Sequence, residues 1–251
     1  MEFDLEVLLI ILPFIFVGGL IDSIAGGGGV INMTGFMISG VPMHMALGTN
    51  KVQALFGTAM ATYNYISKGH YKKDFILFAF IGSIIGSLGG AYLATILHQD
   101  TLRWLMTVAL PIVALIMLSG IKPKASLTKA KKEKIFAITF VIGLTIGFYD
   151  GVLGPGTGTF LIIAFSMCGL SMLEANGNAK VVNLASNVMA GGLFFLNGKV
   201  LLWLVLPCII TSVVANYIGS RLAIENGGKI VKPVIICVLI MLFIKTIVDI
   251  I

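Results

Sequence analysis

Two lysines stand where hydrocarbon leaves least room for them. Lys51 lies in L-G-T-N-K-V-Q and Lys180 in A-N-G-N-A-K-V-V-N, both well inside long apolar segments. An ammonium there costs several kcal/mol unless something compensates it, so each lysine marks an anion site, an ion pair, or a side chain that snorkels back to the interface. Asp22 and Asp150 are the acids available as partners. Each opens a glycine run, D-S-I-A-G-G-G-G at 22–29 and D-G-V-L-G-P-G-T at 150–157. The short apolar stretches that follow, 30–39 and 159–168, are too brief to cross a membrane and read as half-helices. A helix start at membrane depth offers unpaired backbone N–H groups and the positive end of a dipole, and glycine lets an anion approach that backbone. Gly27, Gly28, Gly156 and Thr157 are therefore candidate anion contacts, although a merely flexible turn would use glycine equally well.

Amides surround the lysines. Asn50 and Gln53 in the first half, and Asn176, Asn178, Asn183 and Asn187 in the second, supply uncharged donors for oxyanion oxygens; Lys180, Asn183 and Asn187 share one helical face. The candidate substrate-binding set is thus Lys51, Lys180, Asn50, Gln53, Asn178, Asn183 and Asn187 with the four glycine-run residues. Asp22 and Asp150 have three readings: proton carriers coupled to the anion through mutual pKa shifts, ion-pair partners of the lysines, or caps on the half-helices. Glu174 reads as a first-turn acid favoured by the helix dipole.

The elements that must hold these residues are helices in a bilayer. Of 251 residues, 58% are hydrophobic and only 11% charged, far below the charged fraction of a soluble globule. Ten apolar segments, 7–24, 30–39, 43–66, 75–97, 102–120, 135–149, 159–168, 172–196, 201–224 and 230–250, divide five and five around a polar stretch at 122–134. The acids Glu2, Asp4 and Glu6 precede the first segment, the opposite of a signal peptide's basic start, so a retained first helix is expected.

The halves match in register. Adding 128 carries Gly19, Asp22 and Gly26 onto Gly147, Asp150 and Gly154; adding 129 carries Gly48, Lys51, Val52, Leu55, Met60, Ala61 and Gly69 onto Gly177, Lys180, Val181, Leu184, Met189, Ala190 and Gly198. Further along, Gly82, Gly86 and Gly90 fall on Thr211, Ala215 and Gly219, ridges of small residues that let helices pack closely in lipid. Duplicated halves with short glycine-interrupted segments at matching places are the signature of secondary transporters. The expected organisation is an N-terminal repeat at 1–121, a basic loop at 122–134 and a C-terminal repeat at 135–251. If all five segments of each half cross, the repeats are inverted and the basic residues divide twelve to three; if the short segments re-enter, the division is eleven to four. Either way the 122–134 loop is expected in the cytoplasm.

Other chemistry finds little support. Cys168, Cys208 and Cys237 lack CxxC spacing, His44, His70 and His98 lack metal-ligand spacing, and no nucleotide, hydrolase or zincin motif survives its context. No metal or cofactor is expected, and no catalysis. Trp104 and Trp203 suit an interfacial belt or core packing.

On G-L-I-D at 19–22, the glycines 26–29, A-L-G-T-N-K-V-Q at 46–53, and their counterparts Asp150-Gly151, Gly154-Pro155-Gly156 and Asn178-Ala179-Lys180, the chain resembles the sulfite exporter TauE/SafE family of membrane proteins. The resemblance covers nearly the whole chain. It implies a permease with duplicated helical halves, in a family linked to sulfite, sulfonates and other small sulfur-containing anions; the site residues above rest on their own chemistry. The expectation is an all-α polytopic inner-membrane protein with about eight to ten membrane segments, exporting sulfite or an organosulfonate by alternating access with proton coupling. A passive anion channel and a permease for a non-sulfur organic anion remain open. The partners expected are the small anion, the lipid bilayer and a second copy in a homodimer, with no nucleic acid.

Overall fold

A computed structural model describes residues 4–105, 108 and 131–226. Most of the expected 102–120 segment, the basic loop as far as residue 130, the 230–250 segment, and with them Cys237, Lys229, Lys232 and Lys245, lie outside the described residues.

All regular secondary structure among the described residues is helical. The first half holds α1 (Leu5–Ala25), α2 (Gly28–Ile38), α3 (Met43–Ser67) and α4 (Lys73–Ile96); the second holds α5 (Lys132–Val152), α6 (Thr157–Met167), α7 (Met172–Leu196) and α8 (Leu202–Glu225). Their lengths run 21, 11, 25 and 24 residues in the first half and the same in the second. α1, α4, α5, α7 and α8 are long and apolar enough to cross a membrane. α3 is as long as α7 but more polar. It buries Asn50, Lys51, Gln53, Thr58, Thr62 and Asn64, and packs against α7 and α8.

Two apolar clusters mark opposite ends of the molecule. One joins the start of α1 (Val7, Ile11), the end of α2 (Phe36), the starts of α3 and α8 (Met43, Leu204), and the ends of α4, α5 and α7 (Ala94, Val152, Phe194). The other joins the starts of α4, α5 and α7 (Phe75, Ile135, Ala175) with α6 (Leu161, Phe165). Helices of matching length therefore run in opposite directions: α1 against α5, α3 against α7, α4 against α8. The half-helices α2 and α6 likewise point their C-terminal ends to opposite faces. At about 1.5 Å per residue, eleven residues reach only about 16 Å, so both begin near the middle of the bundle.

Small residues set the helix spacing. A methyl group at Gly82, Gly86 or Gly90 of α4 would lie 2.4, 2.1 or 2.1 Å from Phe140 O, Leu144 O or Phe148 O of α5. From the α5 side, Gly143, Gly147 and Gly151 abut Ala79, Ser83 and Ser87. The matching ridge on α8 meets α1, where Gly19 lies against Ala215 and Gly219 against Leu20 and Ser23. Backbones approach this closely only without side chains between them, which is how apolar helices gain contact in lipid.

The G-T-N-K and G-N-A-K stretches reach across the molecule in the same way. Gly48 admits Lys199 O, to which an added Cβ would be 2.0 Å, and Gly177 admits His70 O at 1.8 Å. The next residue accepts a hydrogen bond from the N-cap residue of a helix in the other half, α8 or α4: Leu201 N donates to Thr49 Oγ1 at 3.0 Å, and Lys72 N to Asn178 Oδ1 at 2.9 Å. Each contact fills a backbone donor that a helix start leaves open.

Candidate functional site

The centre of the bundle is built from the same two stretches. Two residues beyond Thr49, Lys51 Nζ lies 2.7 Å from Asp150 Oδ2; two residues beyond Asn178, Lys180 Nζ lies 2.7 Å from Asp22 Oδ2. Each lysine thus pairs with the aspartate of the other half. Lys51, Lys180 and Asp150 are 2%, 0% and 2% exposed. Burying the ions separately would cost several kcal/mol each, so the pairing is what makes both lysines tolerable.

The two carboxylates differ in their hydrogen bonding. Asp150 is saturated: Oδ1 accepts from Thr157 Oγ1 at 2.6 Å, and Oδ2 accepts from Lys51 Nζ and from Ser186 Oγ. Among the described residues Asp22 accepts through its side chain from Lys180 alone, which also donates to the Asp22 carbonyl. Its side chain remains 17% exposed. Neither acid caps a half-helix, since the N-caps Gly27 and Gly156 are followed by starts without side-chain caps.

Glycine brings the half-helix starts together. Gly26 (φ 79°) ends α1 in the left-handed conformation and donates to Asp22 O at 2.7 Å. It sits against Gly158 so closely that an added Cβ would come 2.2 Å from the Gly158 carbonyl carbon. Thr159 N donates to Gly26 O at 3.2 Å and Thr159 Oγ1 to Ala25 O at 2.7 Å, pinning the start of α6 to the end of α1. On the other side, Gly154 (φ 92°) lies beside the Lys51 ammonium, to which an added Cβ would be 3.0 Å.

Between these elements lies a polar cavity of about 30 Å³. Asp22, Asn50, Lys51, Gln53, Asp150, Thr157, Asn183 and Asn187 line it, with Asn32, Thr58, Ser212 and Asn216. Asn187 Nδ2 donates to Thr58 Oγ1 at 3.3 Å, a contact between positions 129 apart in the sequence. Asn32 Oδ1, Gln53 Oε1 and Asn216 Oδ1 are buried without a hydrogen-bond partner among the described residues. A volume of this size suits about two water molecules, and a tetrahedral or pyramidal oxyanion needs the walls to part.

A family model described as sulfite exporter TauE/SafE matches residues 11–246, nearly the whole chain. The chain belongs to the sulfite exporter TauE/SafE family. It is similar to a probable membrane transporter protein, ORF9, of Sinorhizobium sp., with 38% identity over 93% of this chain and 90% of the relative. It is also similar to the probable membrane transporter protein YfcA of Escherichia coli K12, at 32% identity over 88% of this chain and 82% of the relative. A more distant relative is the probable membrane transporter protein YdhB of Bacillus subtilis, 25% identical over 85% of this chain and 89% of that protein. No solved structure matches significantly. With its membrane-length helices, the chain is a multi-pass membrane transporter of the TauE/SafE type.

In this TauE/SafE protein most of the residues singled out from sequence converge on the cavity, and a few go elsewhere. Lys180 reaches the site through Asp22. Gly27, Gly28 and Gly156 stand behind the wall, which is formed instead by Gly26, Gly29, Gly154 and Gly158. Asn178 is buried but faces the Lys72 backbone, exchanging two hydrogen bonds with it. Asn176 donates to Ile24 O at 2.7 Å and to Tyr65 Oη at 2.7 Å, holding the end of α1 behind Asp22. Glu174 closes a capping box with Ser171 and pairs with Lys72 at 3.0 Å. Among the described residues no cluster of His, Cys, Asp and Glu is arranged to hold a metal ion. Asn32, Ser212 and Asn216 were not singled out from sequence. Their signal was a polar side chain at mid-length in an apolar helix, the property that drew attention to the lysines.

Proposed function

We propose that this protein moves a small sulfur-containing oxyanion, sulfite or an organosulfonate, by alternating access between two inverted halves. The observation that carries the reading is the exchanged pairing of Lys51 with Asp150 and Lys180 with Asp22 around a polar cavity at two uncapped half-helix starts. Two ammonium groups and two carboxylates leave the resting site neutral. An anion gains most where it replaces a carboxylate at a lysine, with the α2 and α6 backbone N–H groups nearby.

Asp22 is the carboxylate to be displaced. Among the described residues it has one side-chain donor where Asp150 has three. An anion at Lys180 releases Asp22 from its ion pair, which makes Asp22 the acid proposed to couple transport to a proton. Protein halves of equal helix lengths and opposite direction give the transporter two related states, each half taking the other's arrangement in turn. The end carrying Lys68, Lys72, Lys73, Lys131, Lys132, Lys134 and Arg221 is assigned to the cytoplasm on its charge. Export is the direction favoured by the family's description.

The test is a thermal-shift screen of purified protein against sulfite, sulfate, thiosulfate, sulfoacetate, taurine and carboxylate controls. A ligand that binds the folded state stabilises it as its concentration passes its dissociation constant. A sulfur oxyanion is expected to raise the melting temperature in a saturable way; a response confined to carboxylates would transfer the reading to a non-sulfur anion.

A further inference from the structure

A second cavity of about 640 Å³ opens between the ends of α3 and α8. It lies at the end of the bundle where basic residues gather, and shares no residue with the ion-pair site. Tyr63 and Lys68 contribute from α3 and its C-cap, Tyr217, Arg221 and Glu225 from α8. Asn64 Nδ2 donates to Ser220 Oγ at 2.8 Å, joining the two helices at its floor.

The cations are positioned for an acceptor. Arg221 Nη1 donates to Tyr217 Oη at 2.8 Å, and its guanidinium carbon lies 5.4 Å from the Tyr217 ring centre. Nε stands 3.5 Å from Glu225 Oε1 in a pair whose side chains are 56% and 60% exposed. The Nη2 edge has no acceptor among the described residues, and Lys68 makes no ion pair among them. Two cations thus face one carboxylate. Tyr63 and Tyr217 are 69% and 41% exposed beside them, the amphipathic rings that settle at the level of lipid headgroups. Sidedness alone would need only scattered lysines; a groove between two helices with a braced guanidinium is more than that.

We propose that this groove binds the headgroup of an anionic phospholipid. The phosphate lies between Arg221 Nη2 and Lys68 Nζ, and the tyrosine rings pack against the glycerol and upper acyl chains. A guanidinium edge and an ammonium suit a phosphate and give no advantage to a zwitterionic headgroup carrying its own cation.

The experiment is thermal denaturation of the full chain in detergent with phosphatidylglycerol, with phosphatidylcholine of the same acyl chains, or with glycerol phosphate, for wild type, Lys68→Gln/Arg221→Gln, and Lys199→Gln at the opposite end. Phosphatidylglycerol is expected to raise the melting temperature of wild type and Lys199→Gln by several degrees and to leave the double variant unmoved, while phosphatidylcholine moves none. Native mass spectrometry is expected to lose one bound phosphatidylglycerol in the double variant. Equal response to the two lipids means that the groove does not read the headgroup's charge and overturns the proposal. So does a phosphatidylglycerol shift or bound-lipid count unchanged in the double variant. Glycerol phosphate matching phosphatidylglycerol assigns the groove to a soluble phosphate and overturns it as well. If the double variant does not fold, Arg221→Gln alone is read by the same mass measurement, and full retention of the lipid overturns the proposal.

Discussion

Lys51 and Asp150, 2.7 Å apart and both almost completely buried, belong to different halves of the chain, and Lys180 with Asp22 repeats the relationship in reverse. Removing one partner leaves a charge without compensation. Asp150→Asn is expected to lower stability by about 3–5 kcal/mol in chemical denaturation, because it strands the Lys51 ammonium. Replacing both, as in Lys51→Met/Asp150→Leu, is expected to recover much of that loss while transport stays absent. Recovery of transport with recovered stability would reduce the pair to a structural role.

Gly48 and Gly177 make the cross-molecule contacts possible. Gly48→Ala and Gly177→Ala place a methyl about where Lys199 O and His70 O now lie, at 2.0 and 1.8 Å. Both variants are expected to melt well below wild type. Gly192→Ala, in α7 with nothing within 4 Å of its added Cβ, is expected to be neutral or to stabilise by up to about 1 kcal/mol, by helix propensity alone.

Asn178 and Asn183 look alike in sequence and differ in place. Asn178→Ala is expected to lower thermal stability through the Lys72 backbone, with the apparent affinity for the transported anion unchanged. Asn183→Ala, at the cavity wall, is expected to weaken that affinity several-fold with little change in melting. Measuring both quantities on both variants checks the assignment; the reverse pattern would place the anion nearer the α3–α4 loop.

The acids separate on coupling. Asp22→Asn is expected to retain anion exchange between equal pools and to lose accumulation driven by a pH gradient, read in proteoliposomes. Asp150→Asn, held by Thr157 and Ser186 as well as Lys51, is expected to fail in exchange too. Accumulation surviving in Asp22→Asn would move proton coupling away from this residue.

Much of this was legible in the sequence because a bilayer punishes exceptions. The stretch 172–196 was bounded by its apolar run, and α7 occupies that span with the capping box at Ser171 and Glu174. The half-helices were legible as short segments, but α2 and α6 begin at Gly28 and Thr157, each two residues before the apolar run. Glycine reads as loop in a sequence; at membrane depth the backbone must satisfy its own hydrogen bonds, and helix does that. Both lysines and both acids stood out by cost, yet nothing in spacing says which acid meets which lysine. That depends on how helices distant in the sequence pack against each other, a relationship between residues 99 and 158 positions apart. Asn178 was grouped with the site by composition, and only packing separates an amide that faces a cavity from one that faces a loop.

The central claim is that the exchanged lysines bind the transported anion. The most direct measurement is uptake of radiolabelled sulfite into proteoliposomes by wild type, Lys51→Ala and Lys180→Ala, each confirmed folded in detergent. The account predicts saturable uptake by wild type and none above empty vesicles for either variant. Saturable uptake of wild-type magnitude in both folded variants would contradict it.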